Sequence, residues 1–184
     1  MYKHVYLSID PGTSMLGTAI NAINMNNQWE ILHACTTNIE LVVRHTYPSE
    51  QIMVHGERFF KNMACGRVVE KFADDWWVND VVSESPYMGR FPQAFAALTE
   101  CMHSMRNAMY SQNPNRVFHT IDPSTIKKSV GVKGNSGDKE LMREAVRRLT
   151  NNTLPVDFMD EHSIDSIAIG YAWYRTVWLG QSKG

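Results

Sequence analysis

At 184 residues with 43% hydrophobic side chains, the chain has the length for one domain with a full core, spanning residues 1–184, and is too short for two independent ones. A formal net charge of -1 argues against a protein that coats nucleic acid by bulk attraction. Cys35, Cys65 and Cys101 are odd in number and contain no Cys-x-x-Cys pair, which disfavours a zinc or disulfide framework and fits a reducing compartment, and no apolar run approaches membrane-spanning length.

The first stretch, Val5-Tyr6-Leu7-Ser8-Ile9-Asp10, reads as a strand. Side chains alternate faces along an extended segment, so Val5, Leu7 and Ile9 point one way and Tyr6, Ser8 and Asp10 the other. Pro11 bars continuation of a central strand, and Gly12 is expected to turn the chain through backbone angles closed to other residues. Asp10 is therefore expected at a strand end, presented rather than buried. The chain passes straight into strand pattern, so no signal peptide is expected. Leu16 to Ile23 reads as a second strand containing Gly17, and a polar turn over Asn24–Gln28 leads to a third from Trp29 to Thr37. That order predicts an antiparallel meander.

From Pro48 to about Trp77 a helical spacing sets Ile52, Phe59, Met63, Val69, Phe72 and Trp76 on one face, predicting one long helix with Gly56 and Gly66 as points of bending. Asp80-Val81-Val82-Ser83-Glu84 reads as a short central strand stopped by Ser85-Pro86. Again an acid stands at a strand end. Phe91, Phe95, Leu98, Met102, Met105 and Met109 form a 3.6-period stripe to Tyr110, suited to the core or to a subunit interface. Arg116 to Ile121 is strand-like, and Asp122-Pro123-Ser124 opens a short helix. A glycine-punctuated loop, 130–137, precedes a helix from about Asp138 to Thr150 with Leu141, Ala145 and Leu149 inward.

The stretch from Lys127 to Arg148 is distinctly basic, carrying Lys127, Lys128, Lys133, Lys139, Arg143, Arg147 and Arg148. After a polar linker, Asp160 is placed to cap a final helix running to about Leu179, on which His162 and Asp165 share a face. The pattern is that of a mixed α/β domain with a central sheet. Asp10, Glu84, His162 and Asp165 form a set of hard-metal ligands spread along the chain. Carboxylate oxygens suit magnesium or manganese, and two such ions about 3.5–4 Å apart can activate a water and stabilise the leaving oxygen in phosphodiester hydrolysis.

Over most of its length the sequence resembles the RuvC family of Holliday-junction resolvases, of the RNase H-like superfamily. The residues that carry the resemblance are Ser8-Ile9-Asp10-Pro11-Gly12-Thr13, Val81-Val82-Ser83-Glu84, the segment from Gly131 to Lys139, and His162-Ser163-Ile164-Asp165-Ser166-Ile167-Ala168-Ile169. It implies an RNase H-like fold, cleavage of four-way junctions as a homodimer, and two Mg2+ or Mn2+ ions held by Asp10, Glu84, His162 and Asp165. His162 stands where an Asp is commoner, which removes one negative charge from the set. The resemblance also implies a wedging aromatic at Tyr87, three positions after Glu84, and phosphate contacts from Lys127 or Lys128, Lys133 and Lys139. The methionine- and asparagine-rich composition fits a phage-encoded member acting in the bacterial cytoplasm.

Three function classes follow. The first is a metal-dependent endonuclease selective for junctions, or more broadly for forks and flaps. The second is a sugar-kinase or actin-like ATPase, whose first phosphate loop Asp10-Pro11-Gly12-Thr13 also resembles, but those enzymes need two such domains. The third is a junction-binding protein without cleavage. Read alone, His162 is a surface residue at a helix start, Tyr87 a residue packed on the sheet rim, and the basic stretch a solvated helix face. The glycine-rich approach to a helix N-terminus favours phosphate oxygens there. The methionine-lined helix is the expected dimer contact.

Overall fold

In the computed structural model, which describes residues 1–88, 91–132 and 139–181, the strands are β1 (Tyr2–Asp10), β2 (Met15–Asn24), β3 (Trp29–Asn38), β4 (Asp80–Glu84) and β5 (Val117–Ile121). They form one sheet in the order β3-β2-β1-β4-β5. The first three make the expected antiparallel meander. β4 lies parallel to β1, with Leu7 opposite Val81 and Ile9 opposite Ser83, and β5 lies parallel to β4. β1 is thus the middle strand, and Asp10 and Glu84 leave the same end of neighbouring strands.

Helices α1 (Ile39–Thr46), α2 (Ser49–His55), α3 (Glu57–Asp75) and α4 (Pro92–Gln112) lie on one side, and α5 (Pro123–Val130), α6 (Lys139–Leu149) and α7 (Glu161–Trp173) on the other. The alternation in β1 explains this layering. Leu7 and Ile9 pack into a core with Ala64, Val69 and Met105, while Tyr6 joins Ile167, Ala168 and Trp173 on the opposite face. Both faces are covered, so β1 is buried on both. Beyond α7 the chain continues as a π-helical segment, Tyr174–Trp178, and a last turn, Leu179–Gln181.

Several expectations are corrected. A helix unforeseen in the sequence, α1, starts where the Asn38 side chain accepts from Leu41 N and buries Ile39 and Val43. The long helix expected from Pro48 is two helices separated at Gly56, whose φ of 86° is left-handed, whereas Gly66 sits inside α3 without interrupting it. Phe60, not Phe59, is the buried neighbour on α3, and on α6 Ala145 and Val146 turn inward while Leu141 is exposed. Met102, Met105 and Met109 are buried in the chain's own core with α3 residues, so the methionine part of the stripe is not a free surface for a partner, whereas Phe91 at its start is exposed. Gly12 does not adopt a left-handed φ; a Cβ there would overlap the Met15 carbonyl, so close approach of the hairpin explains this glycine. Positions 133–138, with Lys133 among them, lie outside the described residues. No helix among the described residues is long and apolar enough to cross a membrane.

Candidate active site

Asp10 and Glu84 define one edge of the site, and the first turn of α7 is brought against them from the side. The side chain of Asp160 caps α7 by accepting from Ser163 N at 3.0 Å, satisfying an otherwise orphaned donor. Thr36 of β3 donates to the same carboxylate and lies 2.9 Å from the Ser163 hydroxyl. The helix start is thereby tied to the sheet. Gly17, paired with Asp10 in the β1–β2 register, permits the approach. A Cβ on Gly17 would lie 2.6 Å from the His162 carbonyl carbon and closer still to its oxygen.

His162 consequently meets Asp10, its Nδ1 donating to Oδ2 at 2.8 Å. Asp165, one helical step on, shares a cleft of about 250 Å³ with Glu84, Lys127 and Lys139. A second cleft, of about 440 Å³, opens on the His162 side between Met15, Arg143, Asp160 and Glu161, with Asp165, Lys139 and Met142 common to both. Asp10 is not the presented carboxylate expected from the sequence: its side chain is only 13% exposed.

Negative charge dominates this corner. Burial, then the charges of Asp10 and Asp165, push the Glu84 carboxyl up to about 7. Burial and then Asp10 do the same to Asp165, also to about 7. Asp10 is raised by burial, against the hydrogen bond from His162, and the same bond raises the imidazole above its ordinary range. Lys127 acts in the opposite direction on both Glu84 and Asp165 without cancelling the excess.

These shifts set a pH dependence of stability. An acid whose folded pKa exceeds its unfolded one binds more protons in the folded state, so its contribution is greatest below the unfolded value and declines as pH rises through the folded one. For Glu84 and Asp165 that window runs from about 4 to about 7. The metal-free protein should therefore melt lower at pH 8 than at pH 5.5, by about 5 °C, corresponding to about 2 kcal/mol. A melting temperature that rises across this interval would contradict the clustering of charge.

Three carboxylates and an imidazole are chemically suited to magnesium or manganese, and two carboxyls pushed to about 7 show where positive charge is lacking. As they stand, no three His, Cys, Asp or Glu side chains among the described residues are close enough to share one ion. The donor set fits by chemistry, with the His162–Asp10 hydrogen bond to be exchanged on loading. Of the other expected site residues, Lys127 and Lys139 line the clefts, and Lys139 pairs with Glu161. Lys128 is exposed and lines neither cleft. Tyr87 is 74% exposed in the segment leaving β4. Arg143 is named in the sequence only as one of the basic stretch, without a site role of its own. It lines the second cleft and donates to Met159 O at 2.9 Å and to Val156 O; its place one turn after Lys139 was the available signal.

No protein-family model matches the chain, and no curated protein matches it significantly. Solved structures do. The RuvC of Thermus thermophilus in complex with Holliday junction substrate aligns with a TM-score of 0.71 at 16% identity, covering 96% of each chain. A second T. thermophilus RuvC structure aligns with a TM-score of 0.70, also at 16% identity and 96% coverage of each chain. The yeast mitochondrial Holliday junction resolvase Ydc2 aligns at 0.64 and 15% identity, covering 99% of this chain and 81% of that one. The fold is RuvC-like and RNase H-like, a mixed five-stranded sheet between two helical layers.

Proposed function

We propose that this chain is a metal-dependent, structure-selective DNA endonuclease, a single nuclease domain over residues 1–184 that resolves four-way junctions by paired symmetric nicks as a homodimer. One observation carries the reading: Asp10, in hydrogen-bond contact with His162, lies near enough to Glu84 and Asp165 for its charge to raise both, in a corner deficient in positive charge at one end of the sheet. The fold around them is shared, over 96% of the chain, with a RuvC solved on a Holliday junction substrate.

In this reading Asp10, Glu84, His162 and Asp165 hold two Mg2+ or Mn2+ ions. Such ions activate a water and stabilise the leaving oxygen of a phosphodiester. Lys127 and Lys139 meet the phosphates flanking the cut, and Lys139 does so at the start of α6, where backbone N–H groups add to its charge. Lys128 and Lys133 extend the basic path along the DNA. Tyr87 is free to stack on an unpaired base at the junction centre. Two nicks across a two-fold junction call for two such sites, hence a homodimer.

The test is cleavage of a four-way junction beside matched duplex, fork and flap DNA. Cutting confined to the junction and dependent on a divalent ion supports the reading. Equal cutting of forks and flaps points to a broader branched-DNA nuclease, and junction binding with no cutting under either metal points to a binding protein.

Variants at two positions sharpen the assignment. Manganese accepts imidazole nitrogen more readily than magnesium does, so manganese should outperform magnesium at equal low concentration, and activity should rise with pH as His162 releases its proton. His162→Asp should keep activity and shrink the manganese advantage, while His162→Ala should lose cleavage about a hundredfold, or about 2.7 kcal/mol. Full magnesium-dependent activity in His162→Ala would move the ligand role to Asp160 or Glu161. Tyr87→Ala should cut junctions about tenfold more slowly, in line with the loss of one base-stacking contact, with duplex affinity unchanged; equal losses on both substrates would make Tyr87 a packing residue.

A further inference from the structure

Three side chains on one face of β1 touch α7 at three successive turns. Asp10 meets His162, Ser8 Oγ donates to Ser166 O at 2.7 Å, and Tyr6 OH donates to Gly170 O at 2.7 Å. The strand positions descend by two as the helix positions ascend by four, so strand and helix run antiparallel. The spacing is not arbitrary. Two residues of strand advance about 6.7 Å and four residues of helix about 6.0 Å, and residues at those intervals share a face. The two repeats therefore run nearly in register over three rungs.

The two lower rungs lie inside the core. Ser8, Tyr6 and Ser166 are fully buried, and a helical carbonyl that already accepts one N–H has a second lone pair for a hydroxyl. Ser8 is itself held in place, since Asn21 Nδ2 donates to its oxygen at 2.7 Å and Trp29 Nε1 donates to Asn21 Oδ1 at 3.0 Å. A relay from β3 through β2 and β1 thus ends on the α7 backbone, one residue after Asp165. Losing the Ser8 hydroxyl leaves one N–H of Asn21 Nδ2 unpaired, and losing either rung removes a contact that holds the helix against sliding.

We propose that Ser8 and Tyr6 are positioning residues that set the height of α7 on β1, and thereby hold His162 and Asp165 at working distance from Asp10 and Glu84. Asn21 and Trp29 fix the rotamer of Ser8. The catalytic consequence rests on the nuclease reading above; the positional one does not.

The experiment compares Ser8→Ala, Tyr6→Phe and the double variant with Val69→Ala, a core truncation on the opposite face of the sheet that serves as a control for general destabilisation. The ring nitrogens of His162 are observed in metal-free protein by long-range proton–nitrogen NMR and assigned with His162→Gln. The rung variants should move or broaden the His162 signals, and Val69→Ala should leave them in place. Cleavage at saturating junction should fall about tenfold in each rung variant, as expected for a displacement of a few tenths of an ångström, with KM within about twofold because DNA contacts are untouched. Unchanged His162 signals in all three rung variants overturn the proposal, as does a moved signal with full turnover. A wild-type protein that cuts no junction defeats the nuclease reading alone, because the ring signals still decide whether the rungs set the helix.

Discussion

Asp10→Asn should reduce junction cleavage about a thousandfold, or by about 4 kcal/mol of transition-state stabilisation, and should leave junction binding intact. Asp10 is the residue through which the other three are coupled. It accepts the His162 hydrogen bond and its charge raises both Glu84 and Asp165. Asparagine keeps the volume and one acceptor oxygen, so the fold persists while the charge that would hold a divalent ion is lost. A signature independent of catalysis accompanies the loss. Without the Asp10 charge, Glu84 and Asp165 ionise more easily, and the metal-free variant should melt higher than wild type at pH 8 while differing little at pH 5.5. Loss of binding in step with cleavage, with the fold intact, would count against the assignment, and so would a variant with no change in its pH-dependent melting.

The second large effect is expected at a residue that carries no chemistry. Gly17→Ala would place a methyl group 2.6 Å from the His162 carbonyl carbon, and both partners are backbone, one in a central strand and one in the first turn of α7. Neither can yield by rotating a side chain. The helix must retreat, costing about 3 kcal/mol through overpacking, and a shift on the order of 1 Å should slow cleavage about a hundredfold. Gly180→Ala, where a Cβ meets nothing within 4 Å, provides the comparison and should behave as wild type. A Gly17→Ala protein with wild-type melting temperature and activity would show that α7 does not rest on β2 there.

Much of this arrangement is legible in the linear pattern, and the failures have identifiable causes. The alternation through Tyr6, Leu7, Ser8 and Ile9 marks β1, and the prolines after Asp10 and Ser85 end β1 and β4 at the right places, because proline removes the donor a ladder needs. α1 was not foreseen because Ile39-Glu40-Leu41-Val42-Val43 is rich in β-branched residues; the Asn38 cap and the burial of Ile39 and Val43 prevail over that propensity. The Met102, Met105 and Met109 spacing identifies a buried helix face correctly but not what buries it. A one-dimensional pattern does not distinguish α3 from a second subunit.

At the candidate site, the sequence positions of Asp10, Glu84, His162 and Asp165 single them out, whereas their electrostatics depend on residues brought together from distant parts of the chain. Asp10 lies 152 residues from its partner His162, and its burial comes from a helix packed across it. Gly17 illustrates the same limit. Within a strand pattern it reads as a weak point, and only the docking of α7 reveals that a side chain there would collide with the site.

The most direct measurement uses a supercoiled plasmid that extrudes a cruciform, incubated with the protein and magnesium or manganese, with both cuts mapped to the nucleotide. Paired resolution predicts linear product with two nicks related by the junction's two-fold axis, absent from a plasmid without the cruciform and absent with Asp10→Asn, from a protein that light scattering shows to be a dimer. Nicked circles as the sole product, equal cutting of the plasmid without a cruciform, or paired cuts by a strictly monomeric protein would contradict it.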